Sequence, residues 1–324
     1  LGLGLVRDAL APSSQRAYKG YLGSWIQFRN LMGLTYFLPS TNDHLDALVE
    51  YAAYAFGSKG LQAKTIEGHL SAIKFFHRVY TGVDLNVRHP VLGGLLNCVR
   101  RGHAEVGTQQ RMRRPLSWAD ILEGEHLAAL WGAGGRELWL CLGASYFCLA
   151  GASEMFAAGE RSSNFERCLQ RRDVAFFRGS QQLSWDLWPA AERLEVRFRL
   201  SKGDQFRREA VVVRVHEGSA AEVRAGGGAV ALLVELLSLH TNFPDNAPLA
   251  SYRMVSGECA VSLQSQAMRA LRELVAKADM QPHEFALHSQ RIGGATQLSA
   301  GGVASDVLQR QRRWNYDAHK VYVR

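Results

Sequence analysis

No run of eighteen apolar residues occurs anywhere in the 324-residue chain, so no membrane-spanning helix is expected. The opening stretch, LGLGLVRDALAPSS, has no signal-peptide pattern. It also begins on Leu1 rather than an initiator Met, as a fragment of a longer chain would, and targeting information would then lie outside it. Cysteine is scarce, odd in number and scattered: Cys98, Cys141, Cys148, Cys168 and Cys259. No CxxC pair and no Cys/His cluster has zinc spacing, so a reducing compartment fits best and metal dependence has no support. No cofactor is expected. Internal repeats and low-complexity tracts are also absent. An intracellular place follows as the expectation, nuclear in a eukaryote and otherwise cytoplasmic.

What is present is a globular composition, 47% apolar and 21% charged, able to bury real cores and long enough for two domains. The net charge is +8 and it is unevenly spread. Residues 1–114 hold 14 Lys/Arg against 7 Asp/Glu, whereas the remainder holds 24 against 23. A basic first third favours an anionic polymer or surface as partner.

That first third reads as four helices. Residues 13–31 follow a Ser-rich capping signal and place Tyr18, Tyr21, Leu22, Trp25, Phe28 and Leu31 on one stripe, with Arg16, Lys19 and Arg29 away from it. Residues 42–56 form the second helix. The third, residues 62–80, sets Ile66, Leu70, Ile73 and Phe76 inward, with His77 on the same side as a core histidine. Its other side shows Lys64, Thr65, His69, Lys74 and Arg78. Such residues are most often a solvated face, but basic groups beside short hydroxyls also hold phosphates. Pro90 starts the fourth helix, residues 90–101. The polar stretch that follows ends in Arg111, Arg113 and Arg114, a linker whose charge would suit a path along DNA.

A second domain starts near Leu116, where SWADI followed by Glu125–Leu130 reads as a capped helix. Residues 136–158 form a strongly apolar core helix, broken near Gly151. The period then changes to two. Residues 168–177, 193–200 and 209–215 read as strands, and RLEVRFRL puts Leu194, Val196, Phe198 and Leu200 on one face. SKGDQF between the last two strands is a hairpin turn. Helices resume over 228–239, 262–278, 285–300 and 304–314.

The last stretch carries the chemistry. Phosphodiester cleavage through a covalent ester needs a nucleophile, cations for the non-bridging oxygens and a proton donor for the leaving oxygen. Tyr can be the nucleophile and its phosphotyrosine product conserves bond energy. Arg suits the charged transition state through its fork of N–H donors, and His works as donor or base near neutral pH. Tyr322, Arg291, His288 and Lys202 are the candidates, with Trp314 able to cap the site. Each alone is weak: an HxxR pair is common, a hairpin Lys is usually solvated, and a Tyr near a chain end usually packs. The ordered set is more specific.

Taken together, the chain resembles the tyrosine recombinases, or phage-type integrases. The resemblance rests on an SxxAY-like first helix, the TIEGHLSAI third helix, SKGDQ after a strand, HSQRIGGAT and RRWNYDAHKVYVR. The style of these boxes is similar to recombinases of eukaryotic mobile elements of the DIRS and Crypton kind. The resemblance implies a mainly α fold with a small antiparallel β-sheet. A helical, SAM-like core-binding domain would span 1–108, a basic linker 109–115, and a mixed α+β catalytic domain 116–324. It implies a C-shaped clamp on double-stranded DNA, Tyr322 as nucleophile, Lys202 as proton donor, and Arg291, His288 and Trp314 on the phosphate. A homo-tetramer on paired sites is implied, with no membrane or small-molecule partner. The family's further C-terminal segment would here be short, missing or cut away.

One departure stands out. The family's first catalytic Arg lies in a box like LRxSE, and this chain has LAGASEMF, with Gly151 at that position and Ser153 and Glu154 in register. Loss of such a cation costs about 100- to 1,000-fold. A decayed or repurposed copy, an introduced change, or substitution by a cation such as Arg161 would each account for it. A DNA-binding protein that keeps the fold without catalysis, and a topoisomerase-like nicking enzyme, are the rival functions.

Overall fold

The structure, a computed structural model, describes residues 10, 12–38, 44–105, 113–160, 165–199, 210–216, 228–304 and 306–308. The chain divides into two compact units, Leu1–Arg111 and Met112–Arg324.

The first unit is built from α1 (Pro12–Leu31), α2 (His44–Gly57), α3 (Ala63–Thr81) and α4 (Pro90–Glu105). Helix α1 starts at Pro12, so Ser13 and Ser14 lie inside its first turn rather than at its cap. The expected apolar stripes meet in one core: Trp25 and Phe28 from α1, Leu48 and Tyr51 from α2, Ile66, Leu70 and Ile73 from α3, Leu92 and Leu96 from α4. Aromatic contacts join α1 to α3, with Tyr18 edge-on to Phe75 at 5.7 Å and Tyr21 stacked on His69 at 4.3 Å. His77 is fully buried, as its place on the apolar stripe implied. It donates from Nδ1 to Ile73 O and accepts the Leu38 N–H at Nε2, which spends both ring nitrogens on the backbone.

The second unit opens with α5 (Trp118–Glu123), where Ser117 and Asp120 form the expected capping box. A 3₁₀ turn (Gly124–Trp131) leads to α6 (Gly135–Phe147), every residue of which from Leu138 to Tyr146 is buried. The helix breaks at Cys148–Gly151, where Leu149 adopts φ +50°, and restarts as α7 (Ala152–Met155). Cys141 and Cys148 are core residues, and burial pushes the Cys141 thiol well above its ordinary range.

Four antiparallel strands follow: β1 (Val174–Arg178), β2 (Gln181–Gln182), β3 (Arg193–Phe198) and β4 (Val211–His216), in the order β2-β1-β3-β4. The first strand is shorter than the pattern of 168–177 suggested. Asp173 accepts the Gln170 N–H and winds Arg171–Asp173 into a 3₁₀ turn, so pairing begins only at Val174. Leu194, Val196 and Phe198 point into the core as the alternation required. Then come α8 (Ala229–Leu239), a small hairpin of β5 (Ser251–Arg253) and β6 (Cys259–Val261), α9 (Gln264–Lys277), and α10 (His288–Ala300). Helix α10 starts three residues later than the pattern indicated, because Pro282–Glu284 forms its own 3₁₀ turn. The fold is therefore mainly helical with small antiparallel sheets. None of the described helices is long and apolar enough to cross a membrane.

Candidate functional site

The site is built where α10 lies on the end of α6. Two glycines permit that approach: a Cβ on Gly293 would stand 1.7 Å from Leu116 O, and one on Gly294 would stand 2.2 Å from Tyr146 O. Both obstacles are backbone, so no side chain fits at either position. The junction is held by Leu116 N–H donating to Ser289 O at 3.1 Å and by a hydrogen bond between Tyr146 Oη and Gln297.

Helix α10 carries His288 and Arg291 one turn apart, on one face. Arg291 is 9% exposed and His288 half-buried. The close approach to α6 brings Arg291 to the broken segment after Leu149. There Glu154 Oε2 accepts the Gly151 N–H at 2.6 Å and stands 3.9 Å from Arg291 Nη1. A Cβ on Gly151 would lie 3.2 Å from Glu154 Oε2 and 3.3 Å from Arg291 Nη1. Residue 151 therefore faces the arginine directly, with the Glu154 carboxylate beside both. Sequence reasoning found both ends of this contact but gave Glu154 no task. The only signal was its spacing from Gly151 across the first turn of α7.

The root of the β3–β4 pair stands beside the same carboxylate. Glu154, Cys168, Asp173 and Arg199 border one small cavity. Arg199 Nε donates to both oxygens of Asp173 at 2.9 Å, and its Nη2 donates to Cys168 O at 2.9 Å. Asp173 is nearly fully buried, so this pair anchors the end of β3 firmly. Lys202 lies three positions further along the chain and, like Trp314, Tyr322, Arg111 and Arg161, falls outside the described residues. Among the described residues, no group of three or more His, Cys, Asp or Glu side chains could hold a metal ion.

The basic residues of the first unit differ in their surroundings. Arg16, Lys19 and Lys64 are exposed, the last with Glu67 3.9 Å away. Thr65 is half-buried, and Lys74 pairs with Asp84 at 3.3 Å. His69 is not on that face. It is 6% exposed, 2.6 Å from Tyr51 Oη and stacked on Tyr21, and burial lowers its pKa while raising that of Tyr51 to about 12. In the second unit, Arg113 and Arg114 are exposed but already engaged. Arg113 Nη1 donates to His283 O at 2.6 Å and Arg114 Nη1 pairs with Glu284 at 3.0 Å.

No family model matches the sequence, and no curated protein does. Solved structures do match. A post-cleavage complex of the XerH site-specific recombinase with palindromic difH substrate aligns over 95% of this chain and 75% of its own, with a TM-score of 0.56 and 14% identity. The pre-cleavage complex of XerH with difH aligns over 85% of this chain and 65% of its own, at a TM-score of 0.50 and 13% identity. The fold is that of the tyrosine recombinases. At this identity the likeness is one of fold alone. The recombinase fold accounts for the helical first unit and for a second unit with its sheet inserted among helices.

Proposed function

We propose that the chain is a site-specific DNA recombinase or integrase that cuts and rejoins strands through a 3′-phosphotyrosine intermediate. Its affinities would be with the recombinases of DIRS- and Crypton-type mobile elements. The observation that carries the reading is Arg291: a nine-tenths buried arginine, one helical turn from His288, beside a carboxylate in the recombinase fold. A largely buried guanidinium one turn from a histidine offers a fork of N–H donors of the kind that binds phosphate oxygens.

In this mechanism Arg291 and His288 hold the non-bridging oxygens of the scissile phosphate. Tyr322 Oη attacks phosphorus, and the bond to the 5′ oxygen breaks. Lys202 protonates that leaving oxygen, and Trp314 shields the site from water. A 5′-hydroxyl of a partner strand then attacks the phosphotyrosine, restoring the diester and releasing Tyr322. A tetramer on paired duplex sites would supply the partner strand. Exposed Arg16, Lys19 and Lys64, together with Thr65 and Lys74, would position DNA on the first unit, and Arg111, Arg113 and Arg114 would lie along it where the chain passes from one unit to the next. His69, inside the core, belongs to stability and not to this contact.

Gly151 favours a second reading, a DNA-binding protein that keeps the fold with little catalysis. One clamp arginine is missing at a position that faces Arg291, and such a loss costs about 100- to 1,000-fold. One experiment separates the two. A nicked suicide duplex bearing the DNA that flanks the gene is incubated with the wild-type chain, with Gly151→Arg, and with Gly151→Arg/Tyr322→Phe. The recombinase reading expects a covalent protein–DNA band that Gly151→Arg strengthens about 100-fold or more, and that Tyr322→Phe abolishes. No band from Gly151→Arg on a duplex that the protein binds leaves the DNA-binding reading. A band that survives Tyr322→Phe removes Tyr322 as nucleophile.

A further inference from the structure

The sheet of the second unit has two unlike faces. One packs Phe176, Leu194, Val196, Phe198 and Val213 into the core. The register sets the other: Phe177 beside Arg193, Ala175 beside Glu195 and Arg214, and Arg197 beside Val212. Arg172 and Arg199 border this face at the two strand ends, and with the strands they enclose an open concavity of about 860 Å³.

Its charge is one-sided. Among the described residues, five arginines stand there (Arg172, Arg193, Arg197, Arg199, Arg214) against Asp173 and Glu195. Both acids are already taken. Asp173 holds Arg199, and Glu195 Oε1 accepts from Arg193 at 2.9 Å and from Arg214 at 2.8 Å. Arg172 and Arg197 are exposed, and neither guanidinium has an ion-pair or hydrogen-bond partner among the described residues. A solvated antiparallel face needs no covering, but it ordinarily carries mixed charge. Two uncommitted arginine forks on a concave wall are suited to phosphate, which each can bind through two parallel N–H bonds.

We infer that this outer sheet face is a second DNA contact, in which Arg172 and Arg197 hold the phosphodiester backbone of a duplex. An acidic peptide fits less well. Such a segment gains by burying its own apolar side chains, and the face offers few partners: Arg193 already covers the Phe177 ring at 4.5 Å, which leaves Val212, 45% exposed, and Ala175. The inference rests on the DNA-binding reading. It does not require catalysis, and nothing in it depends on Gly151.

The test is a salt titration of binding to a mixed-sequence duplex, using the full chain. Three proteins are compared: wild type, Arg172→Gln/Arg197→Gln, and Lys64→Gln/Lys74→Gln in the first unit. The substituted arginines are exposed, so unchanged melting of the first variant confirms that it folds. Each lost phosphate contact removes about 0.9 from the slope of log affinity against log salt. The expected result is a slope reduced by roughly 2 and an affinity lowered roughly tenfold at low salt in the arginine variant. If the lysine variant weakens binding while the arginine variant keeps the wild-type slope, the sheet-face contact is overturned and the DNA-binding reading stands. If the wild-type chain binds no duplex, both fall. If polyglutamate binds in a manner that needs Arg172 and Arg197 while duplex binding is untouched, the face belongs to an acidic protein partner and the inference is overturned.

Discussion

Gly151 sits at φ −77° and ψ 158°, ordinary extended backbone that any residue adopts. Nothing in the chain's course requires glycine there. The atoms that a Cβ would meet are the tips of two flexible side chains, which can move by the needed tenths of an ångström. The glycine is therefore not a demand of the fold, and a larger side chain at 151 has room to form. His240 shows the opposite kind of residue, one fixed by its surroundings. It is fully buried, its Nε2–H donates to Ser251 O at 2.7 Å, and Nδ1 has no hydrogen-bond partner among the described residues. Burial, with Arg171 nearby opposing the backbone bond, lowers its pKa from 6.5 to about 4. The unfolded chain thus binds a proton that the folded one refuses. The neutral ring's stabilisation is complete above pH 6.5 and is lost as the pH falls toward 4, a change on the order of 3 kcal/mol. Thermal melting of the wild-type chain should be flat above pH 7 and should fall steeply between 6.5 and 4. A His240→Phe variant should show less of that fall.

At the scale of elements, the contact between α10 and the end of α6 decides whether a site exists. Two adjacent glycines bring backbone against backbone, and this is what carries Arg291 to residue 151. Alanine at Gly294 would have to displace the Tyr146 carbonyl, for which overpacking costs of about 1–3 kcal/mol or more are usual. Gly151→Ala meets only movable side chains and should change stability by less than about 1 kcal/mol. Denaturant melts of the two variants check this contrast: equal losses would mean that α10 can shift without cost. The glycine pair was visible in HSQRIGGAT, but its purpose was not. A sequence shows that two side chains are absent without showing which carbonyl occupies their place.

At the scale of the whole molecule, two cores are separately closed. One centres on Trp25, Tyr51 and Ile66, the other on α6 and the inner sheet face. We propose that they unfold as separate units, the boundary lying in the basic stretch between them. Leu70→Ala creates a cavity in the first core only, and a loss of about 2–5 kcal/mol is expected there. Calorimetry should show one transition lowered and the other unmoved; a single transition shifted as a whole would mean that the cores are coupled.

Hydropathy period and turn residues, acting locally, were enough to read the four helices of the first unit, the inward face of β3, the capped start of α5 and the break near Gly151. HxxR spacing placed His288 and Arg291 on one face, because a helix repeats every 3.6 residues whatever surrounds it. Folding added what lies between elements. It took His69 from an exposed basic stripe into a core stacked on Tyr21, since an amphipathic pattern does not say where the neighbouring helix crosses. It shortened β1, because Asp173 captured the Gln170 amide, two residues past the point where the strand was expected to start. It also set Glu154 beside both Gly151 and Arg291, two positions 140 apart in the chain, which no local signal can join. The expectation of phosphoryl-transfer chemistry thus rests on residue identity and spacing. The facing of Arg291 on Gly151 is a property of packing, because only the approach of two backbones made it.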